Sequence, residues 1–402
     1  MKVSIISPFF FPLPGGVSVD VYYRCKALIS LGHEVQLFVP NLQGATAWKE
    51  LNGLSELGVI IILIPIHFMG IIKEKTGNLR HEGHLKRNYK LPFDFSPISL
   101  KSAEAVVARK TINRNLASFD PDIVHVDCPE ILHQVSGFVP GRGAARRWRD
   151  KSVAISHASV GELQKRNKRF FRSIISRITE KYIYQSYRVS VFPSDFLRTI
   201  VQVNNAITVR FLGTDKSIFT FHDRTDHQNE RIVLYVGRMS KDKNVEFIVD
   251  AARSADNLKD VKWLFVGGGP FLPQLRKAES ENIHFVGRVP HNQLVEWYNK
   301  ADIFVSSCDY DAFGLTVSEA MATGLPIVVP DKGGPCEQFE NGVSGFTYKN
   351  KDKASFLEVI HRLLENRKLS LDVGRKAVDN VRDWKEGTKA LIEEVEKYLK
   401  NH

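Results

Sequence analysis

The sequence is poor in cysteine, and it has no long hydrophobic run and no spacing typical of a metal site. Only four of its 402 residues are cysteines, and they occur singly, without a CxxC pair or a Cys/His cluster. Neither a disulfide framework nor a structural zinc site is indicated, and a cytoplasmic setting is expected. The longest apolar run, residues 58–66, has about half of the roughly 20 residues that a membrane-spanning helix needs. We therefore expect no segment that crosses a bilayer.

The amino-terminal segment is apolar, but it lacks the pattern of a signal peptide. Pro8, Pro12 and Pro14 interrupt it, and no small-residue cleavage site follows. We interpret it as the first strand of a globular chain, because 43% hydrophobic and 25% charged residues are ordinary values for a globular protein. A length of 402 residues favours two or three domains.

Short apolar runs alternate with helical patterns along the first half of the chain. A helix is predicted over residues 18–31. Strands are predicted at residues 3–7, 34–39, 59–65, 123–126, 153–156 and 189–193. This alternation is typical of a parallel sheet with crossover helices. Residues 213–230 are polar and rich in turn formers, so we interpret them as a linker.

The same alternation begins again after the linker. Five further strands are predicted at residues 231–237, 261–269, 283–288, 301–307 and 326–331. Their nearly continuous Val, Ile, Leu and Phe residues indicate strands that are buried on both faces by helices. An amphipathic closing helix is predicted over residues 384–400. The sequence thus predicts the α/β class, with two parallel-sheet units.

The segment 306–345 contains the most informative pattern. Asp311 follows a strand in a turn, a helix is expected to begin near Phe313, and Glu319 lies inside that helix. One carboxylate is thereby placed at the carboxyl edge of a sheet and the second inside the helix, with free backbone N–H groups between them. Such a place suits a ligand that has hydroxyls and an anionic group. The alternative is an aspartate that caps the helix and a solvated glutamate.

This pattern also resembles a known family. The motif from Asp311 to Glu319, within DAFGLTVSEAMATGLPIV, is similar to the E-x(7)-E signature of the retaining glycosyltransferases of family 4, which have the GT-B fold. Three other segments resemble that family in the same order, namely Gly15-Gly16, VGRMSKDKN at residues 236–244 and GGPCE at residues 333–337. The resemblance covers essentially the whole chain. One difference is that the first carboxylate is an aspartate where the family usually has a glutamate.

The resemblance implies the GT-B architecture, in which two Rossmann-like domains face each other across a cleft. The first domain would span residues 1–212 and bind the acceptor. The second would span residues 213–383 and bind the nucleotide sugar, and the closing helix at residues 384–402 would return to the first domain.

The resemblance also implies how the donor is held. Glu319 would bind the ribose hydroxyls of a nucleotide sugar. Asp311, together with the amides of Phe313 and Gly314, would face the donor sugar.

The diphosphate of the donor would be clamped by Arg238 and Lys243. Two cations in a closed cleft stabilise the charge of a leaving nucleoside diphosphate without a metal. The alternative is a solvated pair of loop residues. Asp309 and Asp311 also form a D-x-D sequence of the kind that binds a divalent cation in GT-A glycosyltransferases. We expect no metal and no other cofactor, because the chain has two α/β units and already supplies these cations.

Two glycine-rich turns are further candidates. Gly15 and Gly16 follow the first strand, where the backbone could approach the acceptor or the donor phosphate, and we assign Gly15 to the acceptor side and Gly16 to the donor. Gly268 lies in a GGGP turn after a strand and could meet the nucleotide, although a tight structural turn is an equal alternative. Neither a G-x-G-x-x-G spacing nor a Walker A sequence occurs, which disfavours dinucleotide oxidoreductases and P-loop enzymes.

Three polar residues of the first half are candidates for the opposite side of the cleft. Asp127 aligns with a family position that faces the sugar, and His125 lies two residues before it. Since strand residues two apart share a face, both could point towards the cleft, although His125 could equally be a buried strand histidine. His157 matches a family position that lines the acceptor side. The family resemblance implies front-face departure of the leaving group, so we name no protein nucleophile, and Asp127 would stabilise charge at the anomeric carbon or orient the acceptor.

The excess positive charge is concentrated in one segment. Residues 142–188 hold 13 Lys or Arg and three acidic residues. From residue 163 onward, apolar residues recur at helical spacing with Lys168, Arg169, Arg172 and Arg177 on other faces, which predicts a basic amphipathic helix. Such a segment could dock on anionic lipid. The alternative is that the apolar stripe packs into the first domain and the charges are solvated.

The function that these residues indicate is transfer of a hexose, with retention, from a UDP or GDP sugar to a lipid or glycan acceptor. The setting would be cytoplasmic, with peripheral binding at the inner face of the membrane. A nucleotide-sugar epimerase and a non-catalytic nucleotide-sugar-binding protein are alternatives that keep the fold. Nucleic acid binding is disfavoured, because no recognised module and no aromatic stacking platform occur.

Overall fold

The computed structural model describes residues 1–10, 15–41, 49–64, 103–140, 143–166, 170–225, 231–255 and 258–402. These residues form two parallel β-sheets and the helices that connect their strands. The predicted α/β class is confirmed. Lys168 and Arg169 of the predicted basic helix lie outside the described residues.

Seven parallel strands form the first sheet, in the order β3-β2-β1-β4-β5-β6-β7. They are β1 (Lys2–Ile6), β2 (Glu34–Pro40), β3 (Ile60–Ile64), β4 (Ile123–Asp127), β5 (Ser152–Ile155), β6 (Val189–Phe192) and β7 (Ala206–Thr208). Every residue of β4, β5 and β6 is buried, whereas the edge strands β3 and β7 are partly exposed. Burial on both faces explains why the sequences of the central strands are nearly continuous apolar runs.

Six parallel strands form the second sheet, in the order β10-β9-β8-β11-β12-β13. They are β8 (Arg231–Val236), β9 (Val261–Val266), β10 (Ile283–Gly287), β11 (Ile303–Val305), β12 (Ile327–Pro330) and β13 (Phe346–Tyr348). Both sheets have the strand order of doubly wound folds, which bind ligands at the carboxyl ends of the strands where the order reverses. The reversal lies between β1 and β4 in the first sheet and between β8 and β11 in the second.

The helices connect the strands within each half. Those of the first half are α1 (Gly16–Ser30), α2 (Lys49–Glu56), α3 (Ala103–Phe119), α4 (Pro129–Ser136), α5 (Val160–Arg166), α6 (Phe170–Tyr184) and α7 (Asp195–Val201). Those that follow are α8 (Val245–Arg253), α9 (Leu272–Leu275), α10 (Leu294–Lys300), α11 (Leu315–Ala322), α12 (Lys353–Glu365), α13 (Arg367–Val378) and α14 (Trp384–Asn401).

The last helix, α14, packs on the first sheet, as predicted. Its residues Leu391 and Val395 are buried in one apolar cluster with Val153 of β5 and Val191 of β6. A capping box begins the helix, because the Asp383 carboxylate accepts from the backbone N–H of the third helical residue, whose side chain accepts in return.

The chain passes between the two halves at two places that lie side by side. The Thr214 N–H donates to the Arg382 carbonyl at 3.0 Å. A Cβ on Gly213 would lie 2.5 Å from the Asp383 backbone, so only glycine fits this close approach. Both crossings therefore form one compact junction. The boundary at residue 213 itself stays a prediction.

Two short strands of the structure are not predicted by the sequence pattern. β7 and β13 have three residues each, too few for a recognisable period.

The predicted basic helix is instead two helices, α5 and α6. The apolar stripe of α6 faces outward, with Phe171 81% and Ile178 66% exposed, so the alternative that this stripe packs into the first domain is wrong. The polar residues Ser173 and Glu180 are buried in its place.

Candidate active site

The two places where the strand order reverses, one in each sheet, lie against each other. A Cβ on Gly16, the first residue of α1, would lie 3.5 Å from Leu315 Cδ1 at the start of α11. For Gly15 beside it, no atom of the residues that the structure describes lies within 4 Å of such a Cβ. The first residues of α1 and α11 therefore lie in contact at the carboxyl ends of the two sheets, where the sequence predicts the donor to lie.

Lys243 and Asp311 form an ion pair at the edge of the second sheet. Lys243 ends a short 3-10 helix after β8, and its Nζ lies 2.6 Å from Asp311 Oδ2. Burial alone would lower the pKa of Lys243, but the Asp311 carboxylate raises it above its usual range. Lys243 is thus held charged beside the predicted donor sugar position.

Glu319 lies on the buried face of α11 and is 7% exposed. Its Oε2 accepts from the Tyr298 hydroxyl at 2.8 Å, and its Oε1 lies 2.8 Å from His291 Nε2. Burial would lower the pKa of His291, but the hydrogen bond and charge of Glu319 raise it. The solvated-glutamate alternative is therefore wrong, because two side chains orient this carboxylate. Each carboxylate oxygen can accept further hydrogen bonds from ligand hydroxyls.

Arg238 is the more exposed of the two predicted diphosphate ligands. Its Nη2 lies 2.8 Å from Asp242 Oδ2, four residues along the loop, and its side chain is 45% exposed. This placement matches the alternative of a solvated loop residue for Arg238 but not for Lys243, which faces Asp311.

The glycines of the turn after β9 allow close contacts between backbone segments. Gly267 (φ +138°) and Gly269 (φ +157°) allow the backbone to pass Gly237 and Met239, since a Cβ on either would lie within 2.3 Å of a carbonyl oxygen. Gly268 has no such constraint, because its Cβ would make an ordinary contact with Arg288 at 3.6 Å. The flanking glycines form the tight turn, and a donor contact for Gly268 stays a prediction.

The residues before α11 have a special backbone conformation. Gly314 is left-handed (φ 93°), and a Cβ there would lie 2.9 Å from Pro335. The helix begins at Leu315, two residues later than predicted from the sequence. Phe313 is buried in a cluster with Phe211 of the first half, so its side chain joins the two halves.

The structure buries Asp127 at the carboxyl end of β4. One Arg24 nitrogen donates to both oxygens of the Asp127 carboxylate, at 2.6 and 2.7 Å, and His157 Nε2 forms a further hydrogen bond with Asp127 Oδ1 at 2.9 Å. Burial would raise the pKa of Asp127, but Arg24 and His157 lower it. The expectation that Asp127 itself faces the cleft is wrong for this structure, because the residue is fully buried.

His125 is also fully buried, so the expectation that it points into the cleft is wrong as well. Burial, followed by the Arg24 charge, lowers its pKa to about 3, which leaves the ring neutral. Neither ring nitrogen has a hydrogen-bond partner among the residues that the structure describes. It is the buried strand histidine of the alternative interpretation.

Asp20 and Arg24 were not among the residues singled out from the sequence. They lie four residues apart on the buried face of α1, and Arg24 Nη2 is 3.1 Å from Asp20 Oδ2. Two charges at this spacing on the apolar side of a helix are a signal that the sequence does contain. Ligand atoms of Asp20, Asp127 and His157 lie within 4.8 Å of one another, a spacing that could hold a metal ion. Because the Arg24 guanidinium contacts both carboxylates, we assign the positive charge of this cluster to Arg24.

Direct contacts hold the two halves together around the cleft. The Tyr310 hydroxyl donates to the Ser159 carbonyl at 2.6 Å and accepts from the Ser159 N–H at 2.9 Å. Arg166 lies 2.5 Å from Asp309 and stacks on the Tyr310 ring. A cation of the chain thus faces each aspartate of the D-x-D sequence, Arg166 at Asp309 and Lys243 at Asp311. Sequence reasoning missed these contacts, which no motif marks.

The GGPCE segment also joins the halves. The Glu337 carboxylate accepts from the backbone N–H groups of Asp195 at 2.8 Å and of Phe196 at 2.6 Å, at the start of α7. A negative charge is favourable at a helix N-terminus, where backbone N–H groups lack partners. Gly334 passes so close to Ala312 that a Cβ would lie 2.0 Å from its carbonyl oxygen.

Fold and site together define a glycosyltransferase of the GT-B type. Sucrose-phosphate synthase from Thermosynechococcus elongatus has the same fold, with a TM-score of 0.71 over the full length of both chains at 18% identity. A family model described as Glycosyltransferase Family 4 matches residues 14–215, and one described as Glycosyl transferases group 1 matches residues 218–379. The chain belongs to glycosyltransferase family 4.

Curated relatives cover most of the chain at low identity. A GDP-mannose-dependent alpha-mannosyltransferase of Corynebacterium glutamicum is 24% identical over 86% of this chain and 76% of its own length. A phosphatidyl-myo-inositol mannosyltransferase of Mycobacterium leprae is 23% identical over 96% of this chain and 93% of its own length. In the parts of the chain that the structure describes, no helix has both the length and the apolar character needed to cross a bilayer.

Proposed function

We propose that the chain transfers a hexose, with retention, from a UDP or GDP sugar to a lipid or glycan acceptor. The observation that carries the proposal is the arrangement of polar groups around α11. Lys243 pairs with Asp311 just before the helix, and Tyr298 and His291 orient Glu319 within it. Gly16 of the first half lies against Leu315 at the start of the same helix. Membership of glycosyltransferase family 4 supports a transferase. The relatives that use GDP-mannose and phosphatidyl-myo-inositol support GDP-mannose as the first donor and a lipid as the first acceptor to test.

The donor would lie along the carboxyl edge of the second sheet. Glu319 binds the ribose hydroxyls, because its two oxygens are oriented by Tyr298 and His291 and retain accepting capacity. Lys243 moves from Asp311 to the diphosphate and leaves the Asp311 carboxylate to accept from a sugar hydroxyl. Arg238 breaks its ion pair with Asp242 and binds the diphosphate.

Transfer with retention follows from front-face departure. The bond between the anomeric carbon and the diphosphate oxygen breaks, the acceptor oxygen bonds to the same face of that carbon, and the acceptor proton passes to the departing phosphate. Lys243 and Arg238 stabilise the negative charge that grows on the diphosphate. His157 contacts the acceptor, and Asp127 acts through His157 by holding its ring. No metal takes part in this proposal.

The halves would act as two domains, at residues 1–212 with 384–402 and at residues 213–383. The junction of Gly213 and Thr214 with Arg382 and Asp383 brings both crossings to one place, which suits a hinge. Closure of the domains would exclude water and bring His157 against the bound donor.

The outward face of α6 would bind the cytoplasmic face of an anionic membrane. Its exposed apolar residues are Phe170, Phe171, Ile174, Ile175, Ile178 and Tyr182. Contiguous apolar residues on a surface helix mark an interaction site. The charge of the segment 142–188 complements anionic headgroups, each basic residue near the surface contributing about 1 kcal/mol. A peripheral enzyme on the membrane would meet a lipid acceptor there.

The donor is tested by calorimetry with UDP, GDP and ADP, with and without a divalent cation. We expect one nucleotide to bind without metal and Glu319→Ala to weaken that binding tenfold or more, roughly one to two lost hydrogen bonds. Glu358→Ala, an exposed glutamate on α12, is the matched control. Equal binding by the Glu319→Ala variant would contradict the proposed ribose contact.

The reaction is tested by incubating the native chain with GDP-mannose or UDP-glucose and lipid extracts, followed by NMR of the product. Transfer with an α-linked product from an α-linked donor is the expected result. Isomerisation of the sugar without an acceptor would favour the epimerase alternative, and nucleotide binding without turnover would favour a binding protein.

Membrane binding is tested by co-sedimentation with vesicles that contain 30% phosphatidylglycerol, a composition on the order of the anionic content that attracts basic segments. Ile175→Glu with Ile178→Glu should abolish binding. Val107→Glu, at an exposed apolar position on α3, should leave binding unchanged. Loss of binding in the control, or retention in the α6 variant, would contradict docking through α6.

A further inference from the structure

The segment that leads from the first half into the second contains two buried anchors. The sequence predicts a polar linker at residues 213–230, yet in its described part, residues 213–225, Phe219 is 1% and Arg224 is 2% exposed. Burial removes much of the hydration of an arginine, so a segment that only connected two halves would keep this side chain in water. The contacts of both side chains lie around Glu319.

The guanidinium of Arg224 joins the ends of two helices. It donates to the carbonyl oxygens of Tyr298 at 2.9 Å and Ala301 at 3.1 Å, at the end of α10. It also donates to the carbonyl oxygen of Thr323 at 2.5 Å, at the end of α11. Carbonyl groups at the end of a helix lack partners within the helix and carry a partial negative charge. Arg224 thus fixes α10 against α11, the helix that contains Glu319.

Phe219 packs against the two side chains that orient Glu319. Its ring lies edge-to-face with the His291 ring, at 5.2 Å between centroids, and with the Tyr298 ring, at 5.8 Å. His291 begins a short 3-10 helix just before α10, and Tyr298 lies seven residues later, so the two side chains share one helical face. Because aromatic pairs have preferred geometries, Phe219 limits the positions that both rings can take.

Each of these two rings is hydrogen-bonded to a different oxygen of Glu319. His291 Nε2 lies 2.8 Å from Oε1, and the Tyr298 hydroxyl donates to Oε2 at 2.8 Å. An ionised carboxylate has about four accepting sites, two on each oxygen. With one site on each oxygen occupied, the direction of the free site is fixed, and the two free sites suit the two adjacent hydroxyls of a ribose.

We propose that Phe219 is a positioning residue for the donor, which holds His291 and Tyr298 so that both oxygens of Glu319 direct their free accepting sites at the ribose hydroxyls. The inference rests on the proposed function, which assigns the ribose contact to Glu319. It adds that a buried residue of the linker sets how strongly the chain distinguishes a ribonucleotide from an analogue without ribose hydroxyls.

The test compares the affinities of nucleotides with and without ribose hydroxyls. The probes are GDP and UDP and their 2′,3′-dideoxy analogues, and calorimetry gives the ratio of the two dissociation constants for each base. The native chain should bind one of the ribonucleotides at least about tenfold more tightly than its dideoxy analogue. Glu319→Ala should remove this preference, because the analogue lacks the hydroxyls that the carboxylate binds.

Phe219→Leu should reduce the preference by roughly two- to tenfold, which is the range that contacts between aromatic rings contribute. The affinity for the dideoxy analogue should stay near the native value, because Phe219 acts only through the ribose contact. In a chain that already carries Glu319→Ala, Phe219→Leu should not change the ratio further.

Phe356→Leu is the matched control. It makes the same change at an equally buried position on α12, where the ring packs against Trp263 and not against the residues around Glu319. We expect it to keep the native ratio. If Phe219→Leu does not fold, Phe219→Met is used instead, because its flexible side chain fills more of the same space.

The outcomes separate this inference from the proposed function. An unchanged ratio in Phe219→Leu would overturn the inference, whether both nucleotides bind as in the native chain or are weakened equally, and would leave the ribose contact of Glu319 standing. If the native chain prefers neither ribonucleotide, or if Glu319→Ala keeps the preference, the ribose contact is wrong and the inference fails with it.

Discussion

Cations and carboxylates of this chain neutralise each other at the places where a charged ligand would bind. Lys243 faces Asp311 at 2.6 Å, and Arg238 faces Asp242 at 2.8 Å. Binding of a diphosphate would therefore exchange one partner for another. Such exchanges reduce the affinity for the donor in the ground state. The cations then bind more strongly to the charge that develops in the transition state, as the diphosphate departs.

Substitution of Asp311 by Asn tests this exchange. The variant frees Lys243, so we expect a nucleoside diphosphate to bind severalfold more tightly, measured by calorimetry. Transfer should fall about 10- to 100-fold, because the uncharged amide oxygen of Asn accepts more weakly from the sugar than the carboxylate does. Lys243→Met should lose both affinity and turnover. Weaker nucleotide binding by Asp311→Asn would contradict competition for Lys243.

Arg238 should act mainly in the transition state. We expect Arg238→Ala to lower kcat by about 10²- to 10³-fold and to change the Kd of the donor much less, because Arg238 must first leave Asp242. Stopped-flow binding and steady-state kinetics measure the two quantities separately. Equal losses in both would remove the transition-state role. Arg253→Ala, an exposed arginine at the end of α8, is the control.

Helices α4 and α6 carry buried carboxylates between them. Glu130, at the start of α4, accepts from the Tyr184 hydroxyl at 3.0 Å. Glu180 of α6 accepts from the Ser159 hydroxyl at 2.9 Å and from the backbone N–H of Val160, at the start of α5. Burial raises the pKa of Glu130 to about 8 and that of Glu180 to about 7. The inner side of α6 is thus tied to the loop that contacts Tyr310, while its outer side is apolar and exposed.

The raised pKa of Glu130 makes stability depend on pH. Between the unfolded value of 4.5 and the folded value of about 8, the folded chain retains a proton that the unfolded chain has lost, so stability falls as pH rises through this window. Glu130→Gln cannot ionise. We expect its free energy of unfolding to exceed the native value at pH 8 by on the order of 2 kcal/mol and to approach it at pH 5.

Urea unfolding at the two pH values measures this difference. For Glu358→Gln, at an exposed position on α12, the difference in unfolding free energy from the native chain should be the same at both pH values. A constant difference between Glu130→Gln and the native chain across pH would contradict the raised pKa.

At the scale of the whole molecule, side chains from both halves close the cleft. Tyr310 forms two hydrogen bonds with Ser159, and Glu337 caps α7 from the opposite half. The structure is therefore a closed arrangement of the two sheets. Any opening that admits substrates must break these contacts.

Tyr310→Phe tests the closing contact. The variant leaves the Ser159 N–H and carbonyl unpaired in the closed form, at a cost of about 1–3 kcal/mol, which should favour the open form by roughly 5- to 150-fold. We expect a larger radius of gyration by small-angle X-ray scattering and a severalfold higher KM for the donor. Tyr398→Phe, at a half-buried position near the end of α14, is the control. An unchanged radius and KM would show that other contacts hold the cleft closed.

Much of the fold could be predicted because helix and strand periods are local properties of the chain. The central strands of both sheets and α14 appear within three residues of the predicted bounds. β7 and β13 were missed because three residues carry no period, and their pairing depends on a neighbouring strand. The donor-side candidates were found by motif, and the structure brings Lys243 and Asp311 together.

The sequence by itself determined the α/β class, the family and the identity of the charged residues around the donor loops, because these follow from period and motif. Only the tertiary structure decided which side chains meet. It buried Asp127 and His125, paired Arg24 with Asp127, and turned the apolar face of α6 outward. The reason is physical: which face of an element is buried depends on what packs against it, and partners more than a hundred residues apart, such as Arg24 and Asp127, leave no local signal of their contact.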